Sequence, residues 1–309
     1  MLASHPSVCS TIDELKLFDF FTVPLEEGWN YLVGLQKNTG GDRNGLAAMW
    51  TDEQFYDFLR EFVVRIYTQV VAAKPDASVV LDKAPAYSTR VDHIERLIPR
   101  VKFIHMIRDG RDVAASMVAA SRSWGQSWAP PTIKSAATQW KEHVLGAREA
   151  RQYRERYLEV RYEELLTNGK QVLHDVCEFM GVSSDPNVVA AIYDSHRFEN
   201  MKEKGKGARD FSLPKEFFRK GQSGDWMNSL KRNDRYLFHE AAGDLLVELG
   251  YCEPTWWFAN SRERISIPLF LTLTSRTRLR AKAGQALRRT LGPKWTARLR
   301  SSRTPTLQH

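Results

Sequence analysis

Val101-Lys102-Phe103-Ile104-His105-Met106-Ile107-Arg108-Asp109-Gly110-Arg111-Asp112-Val113-Ala114-Ala115-Ser116 is the stretch that decides the fold. Val101 to Ile107 reads as a buried strand, and an alanine-rich helix through Ala120 follows the charged turn. Strand, tight turn and helix make the unit from which parallel sheets with two covered faces are built. Ligands of such sheets bind where strands end and helices begin. The amino end of a helix carries partial positive charge. Arg108 at that junction therefore marks a candidate anion site. Taken alone, Arg108 among Asp109, Arg111 and Asp112 reads equally as a local ion-pair cluster.

The same alternation extends outward. Phe55, Phe58, Leu59, Phe62, Val63, Ile66 and Val70 give helical periodicity from Asp52 to Ala73. Val79-Val80-Leu81 is a short strand ending in Asp82-Lys83-Ala84-Pro85, and a helix from about Thr89 to Leu97 closes at Pro99. Downstream, a long helix around Ser135 to Tyr153 leads to a strand at Tyr157 to Val160. Two strand ends are thus basic, at Lys83 and Arg108. A third basic turn, Arg219-Lys220-Gly221-Gln222-Ser223-Gly224-Asp225-Trp226, has glycines that let backbone N–H groups approach an anion. Each has an ordinary reading by itself: a surface lysine, an ion-pair cluster, a glycine-rich loop. Together they predict a convergent phosphate site.

Composition excludes several classes. The chain has 309 residues, 42% hydrophobic and 27% charged, which is ordinary globular usage and neither disordered nor fibrous. No apolar run reaches the roughly 18 residues of a spanning helix. The amino terminus lacks the basic flank and apolar core of a secretory signal. Cys9, Cys177 and Cys252 are scattered, which argues against a disulfide framework or structural zinc and for a reducing, cytoplasmic setting. The net charge of +8 is uneven. Residues 262–309 carry 12 of the 45 basic residues and one of the 37 acidic ones, leaving 33 basic and 36 acidic in residues 1–261. That break divides the chain into a domain at 1–261 and a basic tail at 262–309. From Arg278 to Leu291 the tail is amphipathic, with Leu279, Ala283, Ala286, Leu287 and Leu291 on one helical face. Such a segment lies on an anionic membrane surface, here through 262–303, holds a polyanion, or packs on its own body. Nucleic acid is not expected, since no reading motif or interleaved aromatics accompany the charge.

Taken together and in order, these motifs resemble the sulfotransferases that use 3′-phosphoadenosine 5′-phosphosulfate (PAPS). Ile107-Arg108-Asp109-Gly110-Arg111-Asp112-Val113-Ala114-Ala115-Ser116 is similar to that family's 3′-phosphate motif, which implies that Arg108 and Ser116 hold this phosphate. Arg219-Lys220-Gly221 with Gly224-Asp225-Trp226-Met227-Asn228 resembles the late R-K-G-x-x-G-D-W-x-N signature, whose first three residues clamp the same group. Arg161-Tyr162-Glu163-Glu164-Leu165 resembles a segment that places Tyr162 near the adenine. Phe198-Glu199-Asn200-Met201-Lys202-Glu203 resembles the segment whose Phe stacks on the base. Lys83 sits where the family has a lysine touching the sulfuryl group and leaving phosphate. The resemblance runs from residue 1 to about 251. It implies an α/β fold with a P-loop-NTPase-like central parallel sheet flanked by helices, and sulfuryl transfer to a hydroxyl or amine acceptor without a metal.

Two departures shape the expectation. The family's first strand ends in a P-R-S-G-T-T-like loop that cradles the 5′-phosphosulfate, and this chain has none. The resemblance places Met1 to Val8 within the helix after that loop, so the first strand is expected to be missing and the chain N-terminally incomplete. Weak or no turnover is expected of these 309 residues, and the alternative is a non-catalytic PAP- or anion-binding relative. Second, Pro85 stands where aryl and steroid sulfotransferases carry a catalytic His. The chain instead resembles members with a carboxylate base just beyond the first helix, where Glu14 falls, with Asp13 beside it. A positioned carboxylate takes a hydroxyl proton as attack proceeds; the ordinary reading is a local cap or ion pair. His105 and His5 read as core and helix-end residues, and Trp140 and Trp226 as packing anchors. Acceptor contacts are expected from Phe18 to Trp50 and Ser121 to Ile133, including Trp124 and Trp128, for a sugar, phenol, peptide or lipid.

Overall fold

The short apolar runs do form strands, and they pair in parallel. The computed structural model describes residues 1–11, 14–38, 45–197, 200, 223–259, 262, 264–269 and 271–272, with side chains of 36–38 excepted. The chain divides into two units, Met1–Met227 and Asn228–His309.

The first unit holds four strands: β1 (Val8–Ser10), β2 (Val79–Leu81), β3 (Phe103–Ile107) and β4 (Tyr157–Arg161). β1 pairs with β2, Val8 opposite Val79 and Ser10 opposite Leu81. β3 pairs with β4 over five residues, from Phe103 opposite Tyr157 to Ile107 opposite Arg161. Among the described residues the sheet therefore consists of two parallel pairs. One apolar cluster joins them, taking Val8, Val79, Leu81, Ile104, Leu158 and Val160 from all four strands. Val176 and Met180 close it from α7 (Gly169–Met180). Parallel neighbours need crossovers, and helices supply them. α1 (Val23–Asn38) and α2 (Asp52–Ala72) lie between β1 and β2. α4 (Gly110–Ala120) and α5 (Ile133–Arg148) lie between β3 and β4, while α3 (Val91–Leu97) joins the pairs. The fold is α/β, as the alternation predicts.

The amino terminus differs from its expectation. Met1 to Val8 is not part of a helix: a 3-10 turn at Leu2–Ser4 leads directly into β1. His5 ends that turn, its N–H donating to the Leu2 carbonyl at 2.9 Å, and its side chain is buried. Its Nδ1 accepts from the Ser7 N–H at 3.1 Å, so Nε2 bears the proton and donates to the Ser183 carbonyl at 2.9 Å. The Lys74 ammonium donates to the carbonyls of His5 (2.5 Å) and Val8 (2.8 Å), fixing the entry to β1. A three-residue strand is too short to show a period. Its pairing with Val79–Leu81, seventy residues away, creates it.

Helix starts follow local chemistry. At α2, Thr51 Oγ1 accepts from Gln54 N (3.3 Å) and Gln54 Oε1 accepts from Thr51 N (2.9 Å), a reciprocal cap. The helix predicted from Thr89 begins at Val91, because Pro85–Thr89 is 3-10. The one predicted from Ser135 to Tyr153 is α5 followed by a 3-10 segment, Glu149–Arg156. After β4 come α6 (Tyr162–Thr167), α7 and α8 (Pro186–Ser195). In the second unit, α9 (Arg232–Glu248) buries Phe238, Leu245 and Leu246, and the His239 ring stacks on Trp257 at 5.2 Å. The amphipathic stretch Arg278–Leu291 lies outside the described residues.

Candidate functional site

Two strand ends carry the candidate site residues. At the end of β2, Asp82 is held by two phenols: its Oδ2 accepts from Tyr67 and Tyr87 hydroxyls, each at 3.1 Å. Burial pushes the Asp82 carboxyl up and the two hydroxyls oppose that shift, while burial and the carboxylate raise both phenols. Tyr87 Oη also accepts from the Leu17 N–H at 2.9 Å, which ties the segment after Glu14 to the end of β2. The result is a contact across 69 positions: Lys83 Nζ lies 3.4 Å from Glu14 Oε1. Lys83 is 61% and Glu14 26% exposed, so this pair faces solvent.

The end of β3 is built differently. Asp109 caps α4, its Oδ1 accepting from the Arg111 N–H at 2.9 Å. The Arg111 guanidinium forks onto the same carboxylate, with Nη2 2.6 Å from Oδ2. Burial pushes the Asp109 carboxyl up, opposed by this arginine. Gly110 is required by packing: a Cβ there would come 2.5 Å from the Trp140 ring. The Trp140 indole N–H donates to the Arg108 carbonyl at 3.2 Å, and the Asp109 N–H donates to Glu163 at 3.0 Å. These bonds fix the backbone on both sides of Arg108. The Arg108 guanidinium lies over the Tyr162 ring, 4.6 Å from its centroid, and 3.9 Å from Asp112.

Asp112 makes the longest-range connection. Its Oδ2 accepts from the Gly224 N–H and its Oδ1 from the Trp226 N–H, both at 2.8 Å. The late glycine-rich turn therefore ends against the first turn of α4. Gly224 has φ +87°, a conformation that favours glycine. The Arg111 guanidinium covers the Trp226 ring at 3.8 Å.

Of the residues singled out in the sequence, the structure brings together Glu14 with Lys83 and Arg108 with Tyr162. Ser116 is exposed on α4, one turn beyond Asp112 on the same face. Asp13, Phe198, Arg219, Lys220 and Gly221 lie outside the described residues. His105 faces the interior of the β3–β4 pair, its Nδ1 2.8 Å from the Tyr157 hydroxyl, and burial pushes its pKa down to about 4. Trp124 and Trp128 pack on each other at 5.2 Å and remain part-exposed. Sequence reasoning missed Asp82, whose partners Tyr67 and Tyr87 are recognisable only in space, and the reach of Asp112 to Gly224. Among the described residues no group of His, Cys, Asp and Glu is arranged to hold a metal ion. None of their helices is long and apolar enough to cross a membrane.

The fold and these strand ends define an α/β protein with basic residues at its β–α junctions. Residues 1–186 match the model of the Sulfotransferase family, more than half of the chain, and the protein belongs to that family. It is similar to sulfotransferase 2A1 of Macaca fascicularis, 29% identical over 172 residues that cover 48% of this chain and 59% of the relative. Sulfotransferase 1C2 of Rattus norvegicus is 36% identical over 107 residues, 31% of this chain and 36% of the relative. The match thus spans well under two thirds of each relative's length. Among solved structures, mouse sulfotransferase SULT7A1 complexed with PAP is 24% identical, covering 51% of this chain and 65% of that one, with a TM-score of 0.42.

Proposed function

We propose that the end of β3 is the 3′-phosphate half of a PAPS site, and that the protein belongs to the transferring members of its family. The observation that carries this reading is Arg108, set at a strand end with its guanidinium over the Tyr162 ring and its backbone fixed by Trp140 and Glu163. A guanidinium held this way presents a planar fork that matches phosphate oxygens. Ser116 on the same helix and Arg219, Lys220 and Gly221 of the late turn are the further phosphate donors, with Tyr162 and Phe198 against the adenine.

Lys83 and Glu14 are the proposed transfer residues. PAPS, when bound, supplies the sulfuryl group. In-line transfer forms a bond from the acceptor oxygen or nitrogen to sulfur and breaks the one to the phosphate oxygen. Glu14 takes the acceptor proton, and Lys83 offsets charge on the leaving oxygen. Their 3.4 Å separation puts both within reach of one reacting centre.

Calorimetric titration of PAP into the 309-residue chain tests the reading. The expected result is micromolar binding that weakens at least about tenfold, or ~1.4 kcal/mol, in Arg108→Ala with the melting temperature unchanged. No binding by the folded chain, or equal binding by the variant, would refute it. The second reading, a PAP- or anion-binding protein without turnover, is favoured by the solvent exposure of Lys83. Its signature is PAP binding with no sulfuryl transfer to any hydroxyl or amine acceptor.

A further inference from the structure

We infer that Tyr87 is a positioning residue for the transfer pair: its hydroxyl sets the segment that carries Glu14 in register with the strand end that carries Lys83. The inference rests on the transfer reading of that pair for its chemistry, though not for its geometry.

The pair does not set its own register. Lys83 is 61% exposed, and an exposed ion pair at 3.4 Å contributes little attraction. The backbone leading away from Glu14 is also unusual: Lys16 has φ +52°, in the left-handed region that a lysine seldom enters. A residue stays in that region when its surroundings fix it there. Leu17, the next residue, is buried, and its N–H stands at the start of the helical turn Phe18–Thr22, where no carbonyl of the helix accepts it. Tyr87 Oη takes that bond at 2.9 Å, from 70 positions away.

The donor inventory gives the hydroxyl two directions. An N–H only donates, so Tyr87 Oη accepts from Leu17 and its own proton goes to Asp82 Oδ2 at 3.1 Å. Asp82 is the neighbour of Lys83. One hydroxyl thus uses a lone pair on the Glu14 side and its proton on the Lys83 side. The carboxylate polarises the phenol and so strengthens the Leu17 bond. The Tyr87 ring adds an edge-on contact with Phe18, their centroids 4.9 Å apart. Further along, the same two segments meet at Asp19 with Arg90, 3.8 Å apart, and at Thr22 with His93, 2.8 Å apart. Those contacts lie five and eight residues beyond Glu14, whereas the Tyr87 bond lies three beyond it.

Tyr87→Phe keeps the ring and removes the hydroxyl. A water-soluble carbodiimide joins a carboxylate to an amine where the two touch, so it reads the pair without any ligand. The wild-type chain should yield a peptide cross-linked between Glu14 and Lys83. Lys170 with Asp194, exposed and 3.0 Å apart, serves as the reference pair. Tyr87→Phe should lower the Glu14–Lys83 yield about threefold or more with the reference yield unchanged, and speed exchange of the Leu17 amide about tenfold. A merely structural hydroxyl predicts a lower melting temperature with unchanged coupling in the folded fraction, and that result overturns the inference. So does a wild-type chain that couples the reference pair but not Glu14 to Lys83.

Sulfuryl transfer from PAPS supplies the functional readout. Tyr87→Phe should lower turnover about tenfold or more with PAP affinity unchanged. Equal losses of turnover and affinity overturn the assignment to the transfer pair. If the folded wild-type chain transfers nothing, the transfer reading falls, and the coupling yield still decides whether Tyr87 sets the register. Should Tyr87→Phe not fold, amide exchange in the wild-type chain and in Tyr67→Phe takes its place. Tyr67→Phe removes a donor to Asp82 and leaves the Leu17 bond, so the Leu17 amide should be protected in both. An unprotected Leu17 amide in either chain overturns the inference.

Discussion

The ends of β2 and β3 each set a cation near a carboxylate, Lys83 by Glu14 and Arg108 by Asp112, and they are built oppositely. At β3 three charged side chains are nearly sealed, with Asp109 and Arg111 each 5% and Asp112 3% exposed. Each is satisfied by a named partner: Arg111 by Asp109, and Asp112 by two backbone N–H groups. At β2 the cation is exposed and lies 3.4 Å from the Glu14 carboxylate. A buried, fully bonded network holds geometry at the expense of desolvation, and breaking it is costly. An exposed ion pair contributes little to stability and leaves its partners free to reorganise. The difference suits the proposed roles: a fixed grip on a phosphate at β3, and a solvent-facing pair at β2 whose carboxylate would take an acceptor proton.

Breaking the β3 network should have the largest effect. Arg111→Ala leaves Asp109 buried without its guanidinium, and we expect a loss of about 3–5 kcal/mol in urea unfolding. A loss below about 1 kcal/mol would show that this network is not the rigid half. Gly110→Ala comes next. Its methyl meets the buried Trp140 ring, and overpacking of this kind costs about 1–3 kcal/mol. The shift should appear in the same unfolding curve, with a change in Trp fluorescence.

The β3–β4 pair should also make stability pH-dependent. Burial lowers the His105 pKa from 6.5 to about 4, so the unfolded chain takes up a proton first as pH falls. This contribution is complete above the unfolded pKa and lost progressively from pH about 6.5 towards 4, with a slope of at most about 1.4 kcal/mol per unit. His105→Gln should flatten that window in a series of unfolding curves; an unchanged slope would assign it to other groups. The smallest stability effect belongs to β2. Lys83→Ala should cost no more than about 1 kcal/mol in unfolding. In a transfer-competent protein it should nevertheless reduce turnover far more than it reduces PAP affinity. Equal losses in both would merge the two halves of the comparison.

Much of this site was legible along the chain because its parts are local. The strand–Arg108–helix unit, the basic end of β2 and the shape-restricted glycines lie within stretches of a few residues, where side-chain type and spacing act directly on backbone conformation. Gly110 shows the limit: its place in the turn is readable, but the ring of Trp140 that forbids a side chain there comes from α5. β1 was missed because Val8-Cys9-Ser10 carries no period, and the expected helix gave way to pairing with β2. Asp112, readable as one charge in a local cluster, turned out to reach a turn 112 positions away.

The sequence by itself determined the alternation of strands and helices, the basic residues at strand ends and the family likeness, because these depend on near neighbours and residue type. Tertiary structure alone decided that Glu14 meets Lys83, that Arg108 lies over Tyr162, and that Asp112 holds Gly224 and Trp226. Those contacts follow from which surfaces the core brings together. A buried polar group accepts whichever donor that packing supplies, and sequence separation carries no trace of it.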